Sequence, residues 1–167
     1  MQAVILAAGK GTRLRPLTLK IPKPLVSLND RPILEHIINE LPKEIDEVIL
    51  VIGYLGDKIK KYFGSNFLGK KVKYMVQKEQ RGTFHALKQA QKFLGGKFLV
   101  LMADDIYSKK DLVRLARSEQ AVLVRAVRGP SEKFGVCLIK NNRLLDIREK
   151  EIGIKFRFAN WHPKPSF

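Results

Sequence analysis

The sequence predicts an α/β domain, a Rossmann-like and mostly parallel sheet flanked by helices and incomplete at the C-terminus, and three observations carry it. Short apolar runs suited to buried strands alternate with stretches of helical periodicity, the pattern of βαβ units, and no repeat or low-complexity linker interrupts them. Right-handed crossovers then make the sheet mostly parallel. A glycine turn follows the first apolar run directly, at the carboxyl end of a strand, where open α/β sheets bind ligands. Finally, 167 residues with 45% hydrophobic and 29% charged content suit one sizeable core.

The elements follow in order. Ala3-Val4-Ile5-Leu6 is the first strand. Asn29-Asp30-Arg31-Pro32 carries helix-start signals, a capping side chain and then proline, and Ile33, Leu34, Ile37, Ile38 and Leu41 follow at helical spacing. Residues 48–52 read as a second strand that Gly53 ends, before a short helix over about 57–63. A third strand spans 72–77, and the next helix carries Ala86, Leu87, Ala90, Phe93 and Leu94. The uniformly apolar run 98–102 is the fourth strand, and Ala103-Asp104-Asp105 follows it at once.

Composition narrows the functions. No apolar run approaches the ~20 residues of a spanning helix, and Gly9 and Lys10 break the first run before it could serve a signal peptide, so the expectation is a cytoplasmic protein with no membrane partner. The lone Cys137 permits no internal disulfide and reads as a buried strand residue. A net charge of +16 makes nucleic acid a rival partner. Against it, the basic residues are scattered through helices and turns, with no zinc spacing, basic zipper or aromatic RNA motif, so a solvated surface is the expected reading.

The chemistry concentrates in Ala7-Ala8-Gly9-Lys10-Gly11-Thr12-Arg13-Leu14-Arg15-Pro16-Leu17-Thr18, followed by Pro22-Lys23-Pro24-Leu25. Glycine lets a main chain take positive φ and approach phosphate oxygens, which successive N–H groups then cradle, while Arg13, Arg15 and Lys23 supply countercharge. Leu14 breaks the dinucleotide fingerprint, and no Gly-Lys-Ser/Thr closes a P-loop. For Gly9 and Gly11 alone, a plain glycine-rich turn is an equal alternative.

A second rim forms at Gln77-Lys78-Glu79-Gln80-Arg81-Gly82-Thr83-Phe84-His85-Ala86-Leu87. A glutamine amide both donates and accepts, which suits a pyrimidine edge, and Gly82 and Thr83 add N–H groups and a hydroxyl. The alternative is an ordinary N-cap turn. At the fourth strand end, two carboxylates need a partner. Mg2+ is the natural one beside a triphosphate, which makes Asp104 the candidate metal ligand, with turn capping as the alternative role for one of the pair.

The string G-x-G-T-R-x-R-P-L-T with P-K-P-L resembles the opening of the sugar-phosphate nucleotidyltransferases, which make nucleotide sugars. The resemblance implies a Rossmann-like fold, nucleotide contacts at Leu6, Ala8, Gly9, Gly11 and Thr12, and catalytic roles for Arg13 and Lys23 on the reacting phosphates. Gln-x-x-x-x-Gly-Thr-x-x-Ala is similar to the nucleobase loop of family members acting on UTP and N-acetylglucosamine 1-phosphate, which implies base binding by Gln77, Gly82 and Thr83; His85 is expected to be structural. Ala103 stands where the family usually has glycine before Asp104. Gly135 resembles a strand-entry glycine that meets a sugar hydroxyl. Glu149-Lys150 resembles a Glu-Lys-Pro element for sugar and phosphate, although Glu151 replaces the proline and an exposed Glu-Lys pair is also an ordinary salt-linked surface.

The likeness covers about residues 2–150, a nucleotidyltransferase core, and leaves 151–167 as an atypical, basic tail punctuated by proline. The expectation is a truncated chain, whose exposed sheet edge would favour pairing with a second copy. The expected reaction moves a nucleoside monophosphate from a triphosphate, UTP or dTTP, to a sugar 1-phosphate. Fixed cations, backbone amides and Mg2+ suit it because the attacking phosphate is already anionic and needs no base. Alternatives are a nucleotide-binding protein without turnover, a cytidylyl- or guanylyltransferase of the same family, and a basic nucleic-acid-binding domain.

Overall fold

A computed structural model of the chain describes residues 1–124, 136–141, 143–148 and 158–159. Its centre is a five-stranded sheet built from β1 (Gln2–Ala7), β4 (Glu47–Ile52), β5 (Asn66–Phe67), β6 (Lys70–Val76) and β7 (Phe98–Met102). The spatial order is β5-β6-β4-β1-β7. The pairs β6–β4, β4–β1 and β1–β7 are parallel, and only β5, joined to β6 by a tight turn, runs antiparallel. The chain moves outward from β1 through β4 to β6 and then returns to β1's other side as β7. The strand order therefore reverses between β1 and β7, and in such sheets this reversal opens a crevice beyond the carboxyl ends.

Both faces of the sheet are covered, which is why its strands are apolar throughout rather than alternating. On one face Ala3, Ile5, Leu50 and Leu101 pack against helices α1 (Ile33–Asn39), α2 (Gly56–Phe63) and α4 (Lys109–Arg117) through Leu34, Ile37, Ile59, Phe63 and Leu112. On the other, Val4, Leu6, Ile49, Val51 and Val100 meet Ala86, Leu87 and Ala90 of α3 (Thr83–Ala90). Small residues on α3 let that helix approach closely. Phe93 and Leu94, expected within it, fall in and just after a following 3₁₀ turn and pack on the same cluster.

The stretch read as a helix start folds differently. Asn29 and Asp30 both take positive φ, 48° and 63°, and close a two-residue hairpin between β2 (Ser27–Leu28) and β3 (Arg31–Pro32). Asparagine and aspartate tolerate this left-handed pair, the turn that matches strand twist. Asn29 therefore caps nothing: α1 starts after Pro32 without a side-chain cap and stops at Asn39, leaving Leu41 buried beyond its end.

The remaining described strands lie in two antiparallel pairs, β9 (Val136–Lys140) with β10 (Arg143–Arg148), and β8 (Ala121–Val122) with β11 (Phe158–Ala159). Cys137, expected to be buried, is half-buried on β9. Among the described residues no helix is long and apolar enough to cross a membrane.

Candidate active site at the sheet's carboxyl edge

The crevice between β1 and β7 holds a cavity of about 230 Å3. Leu6, Gly9, Gly11, Thr12 and Arg13 line it from the first strand and its loop, Lys23 from the end of that loop, and Ala103 and Asp104 from the turn after β7. Two stretches some eighty residues apart in sequence thus meet because parallel pairing sets β1 beside β7, with Leu6 opposite Met102.

The loop is held by its own backbone. Leu14 N–H donates to the Gly11 carbonyl at 2.9 Å, and Leu25 N–H to Pro22 at 2.8 Å, so short 3₁₀ turns bracket the segment. Gly11 has φ +62°, and a Cβ there would come within 3.1 Å of Thr18 Cγ2 and 3.2 Å of Lys23 Cβ. Its conformation and its tight surroundings both favour glycine. Gly9 has open space where a Cβ would stand and takes no positive φ, so its contribution is an uncovered backbone rather than a special turn. Thr18, which the motif reading gave no role, is buried and donates from Oγ1 to the Gly11 carbonyl at 2.8 Å.

Lys23 and Asp104, expected as catalytic cation and metal ligand, form one ion pair, Nζ to Oδ2 at 2.6 Å, with both side chains about one-fifth exposed. Arg13 is exposed on the same cavity. Asp105 is more deeply buried than Asp104, while the cap of α4 is Ser108, whose Oγ accepts from Asp111 N–H at 3.2 Å. Among the described residues no cluster of three or more His, Cys, Asp or Glu could hold a metal by itself. Mg2+ needs no such cluster: one or two carboxylates with phosphate oxygens and water satisfy it, and Asp104 on the cavity wall fits that donor set.

The second rim is placed at the same edge of the sheet but turned inward. Gln77 follows β6 directly and is buried; its Nε2 lies 3.1 Å from His85 Nδ1 and 3.4 Å from the Gly82 carbonyl. Gly82 is the N-cap of α3 at φ +90°, its carbonyl accepting from Ala86 N–H at 3.2 Å, so the turn does cap the helix through its backbone, with no side-chain bond. Thr83 is half-buried in the first turn of α3. Two residues to which the sequence reading gave no site role join the rims. Gln80 Nε2 donates to the Ala8 carbonyl at 2.8 Å, and Gly53 sits where a Cβ would be 2.9 Å from that same oxygen and 3.2 Å from the Gln77 carbonyl. The expected sugar-site residues Gly135, Glu149 and Lys150 lie outside the described residues.

Reversed strand order, a glycine-bearing loop and a cationic crevice define a doubly wound α/β domain with its ligand site at the switch point. Residues 2–152 match the nucleotidyl transferase family, and the chain belongs to that family. It is 40% identical over 163 residues to the bifunctional protein GlmU of Methanococcus vannielii, covering 96% of this chain and 38% of the relative. It is 43% identical over 123 residues to the D-glycero-alpha-D-manno-heptose 1-phosphate guanylyltransferase of Campylobacter jejuni, covering 73% of this chain and 55% of that protein. A crystal structure assigned as a glucose-1-phosphate thymidylyltransferase from Bacillus anthracis, 28% identical, superposes with a TM-score of 0.78 over 95% of this chain and 68% of that one. The chain thus spans under two-fifths of the length of the GlmU relative.

Proposed function

We propose that this chain provides the nucleotidyl-transfer site that moves a nucleoside monophosphate from UTP or dTTP to a sugar 1-phosphate. The observation that supports it most is the meeting of Lys23 with Asp104 at 2.6 Å in the switch-point crevice that Arg13 also lines. A phosphate oxygen of the sugar 1-phosphate attacks the α-phosphorus, a new P–O bond forms, and the bond to the β-phosphate breaks as pyrophosphate leaves with its electron pair. No proton has to move. The chain's part is to neutralise and align charge. Backbone N–H groups around Gly9 and Gly11 receive phosphate oxygens, the Arg13 guanidinium and Lys23 ammonium stabilise the charge that builds at the reacting phosphates, and Gln77, Gly82 and Thr83 receive the base. Asp104 would hold Mg2+, which when bound neutralises phosphate charge and polarises the P–O bonds.

GTP is the second reading of the nucleotide, supported by the 43% identity to a guanylyltransferase. Calorimetric titration with UTP, dTTP, GTP and CTP in Mg2+, joined to a pyrophosphate-release assay with hexose 1-phosphates, tests both. Saturable binding with release dependent on the sugar phosphate is expected. Binding without release identifies a nucleotide sensor instead, and salt-sensitive affinity for DNA or RNA with indifference to mononucleotides points to the basic-domain alternative.

A further inference from the structure

We infer that His85 is a positioning residue that fixes which atom of the Gln77 amide meets the nucleobase, and thereby selects bases whose facing ring nitrogen carries hydrogen. The inference rests on the proposed nucleotide-binding role of the Gln77 loop. Its starting point is a chain of contacts within that loop. Gln77 Nε2 lies 3.4 Å from the Gly82 carbonyl and 3.1 Å from His85 Nδ1, and the Gln89 amide stands on the far side of the ring, 3.4 Å from Nε2.

The carbonyl settles the orientation. Gly82 O can only accept, so the amide atom beside it is the nitrogen, and a half-turned Gln77 would set two oxygens against each other. With nitrogen there, His85 Nδ1 must accept, and the ring's proton belongs on Nε2. A neutral ring can accept at only one nitrogen, and the shorter contact, 3.1 Å at Nδ1 against 3.4 Å at Nε2, takes it; Gln89 Nε2 then makes no bond to the ring and keeps its bond to the His85 main-chain carbonyl at 3.3 Å. Both protons of the Gln77 amide are spent inside the loop. Its Oε1 takes no hydrogen bond from the described residues and is not sealed from solvent, so an acceptor is what remains for a ligand.

An acceptor discriminates sharply between bases of equal size. Uracil and thymine present N3–H and guanine N1–H, which an amide oxygen can receive. Cytosine N3 and adenine N1 carry lone pairs in the same place, and they would repel it. A glutamine on its own cannot make this choice, because its amide turns over at little cost and offers either end. The Gly82 carbonyl, at 3.4 Å, holds the amide only weakly, and His85 adds the second and shorter constraint, at 3.1 Å, from the first turns of α3, eight residues along the chain.

Two measurements on the full chain test this. The ¹⁵N shifts of the neutral His85 ring are expected to show hydrogen on Nε2; hydrogen on Nδ1 overturns the inference whatever the protein binds. Calorimetry with UTP and CTP in Mg2+ is then compared across variants. Wild type is expected to favour UTP, and His85→Ala to lose about tenfold of that preference, the scale of one well-made hydrogen bond. His85→Asn, whose Oδ1 takes the place of Nδ1 as acceptor, is expected to restore it. A His85→Ala protein that melts normally and discriminates like wild type removes His85 from base selection while the proposed function stands. A wild type that binds neither nucleotide overturns the proposed function itself, and the ring tautomer still reports whether the Gln77 contact is made as described.

Discussion

The two ends of the parallel sheet are built from the same strands and treat charge in opposite ways. At the amino end, polar groups are consumed by the protein. The Met1 ammonium meets Asp46 at 2.8 Å, Glu47 binds Gln2 at 2.6 Å and Lys73 at 2.7 Å, and the buried Lys70 ammonium donates to the carbonyls of Ile45 and Pro42 at 2.6 and 3.2 Å. At the carboxyl end, Lys23 pairs with Asp104 and Arg81 with Glu79, each at 2.6 Å, while Arg13, Arg15 and Lys10 stand exposed on the glycine loop, with no ion pair among the described residues. A parallel sheet collects all its strand starts on one edge and all its strand ends on the other, so the two tasks separate cleanly. One edge closes the fold; the other leaves the loop cations exposed, as the proposed triphosphate site requires.

The sharpest way to break this contrast is to remove charge from the carboxyl edge. Lys23→Ala is expected to lower the turnover rate for pyrophosphate release at least about 100-fold, the usual scale for a preorganised electrostatic group at a reacting centre. Its unfolding free energy should fall by no more than about 1 kcal/mol, because the Asp104 pair is partly solvated. A chemical denaturation curve alongside the kinetics checks both halves. A large stability loss with near-normal turnover would make Lys23 a structural residue like those at the other end.

Gly11→Ala tests the loop that carries those cations. A Cβ at φ +62°, with neighbours at 3.1 and 3.2 Å, has to push Thr18 and Lys23 apart. The expected cost is about 1–3 kcal/mol of stability, with weaker triphosphate binding because Lys23 shifts with the loop. Gly9→Ala, where the space is open, should fold normally and lose affinity only through the covered backbone. Thermal melts and nucleotide titrations of the pair distinguish the two glycines. Equal melting losses would mean that the left-handed turn matters less than the geometry indicates.

How much of this was legible follows from the range of each interaction. The strands were legible because burial on both faces demands unbroken apolar runs such as 48–52 and 98–102, and the motif loop because its glycine, arginine and lysine sit within nineteen residues of one another. The 27–32 hairpin was misread because Asn-Asp-Arg-Pro satisfies both cap and turn chemistry; packing decided between them. The tertiary roles of Gly53, Thr18 and Gln80 were missed for a different reason. Their roles come from tertiary neighbours, Ala8 standing 72 positions before Gln80, and nothing in local spacing marks them. The direction of the Gln77 amide also depends on a partner, His85, that only the folded loop brings into contact.

Gln80→Ala sharpens the comparison at a smaller scale, because it cuts the bond between the two rims of the carboxyl edge. Losing the 2.8 Å bond to the Ala8 carbonyl from an exposed side chain should cost about 0.5–1 kcal/mol. If the tie aligns base and phosphate sites, UTP affinity falls several-fold while inorganic pyrophosphate binding stays the same. A parallel loss for both ligands would show that Gln80 merely supports the phosphate loop.

The smallest expected effect lies at the amino edge, and it appears in stability alone. The hydrogen bond from Lys73 holds the Glu47 carboxyl below its ordinary value of 4.5; burial opposes this, and the Gln2 amide and the Lys73 charge assist it. A carboxyl depressed in the folded state is protonated first in the unfolded chain as the pH falls. Its contribution is therefore complete above about 4.5 and declines as the pH drops toward the folded value. The stability gap between wild type and Glu47→Gln, measured by urea unfolding, should be widest near neutrality and narrow on acidification through that window, while UTP affinity at neutral pH is unchanged. A gap that ignores pH would place the benefit of Glu47 in packing. A change in nucleotide affinity would show the two edges to be coupled through the strands, against the separation that their charge distributions indicate.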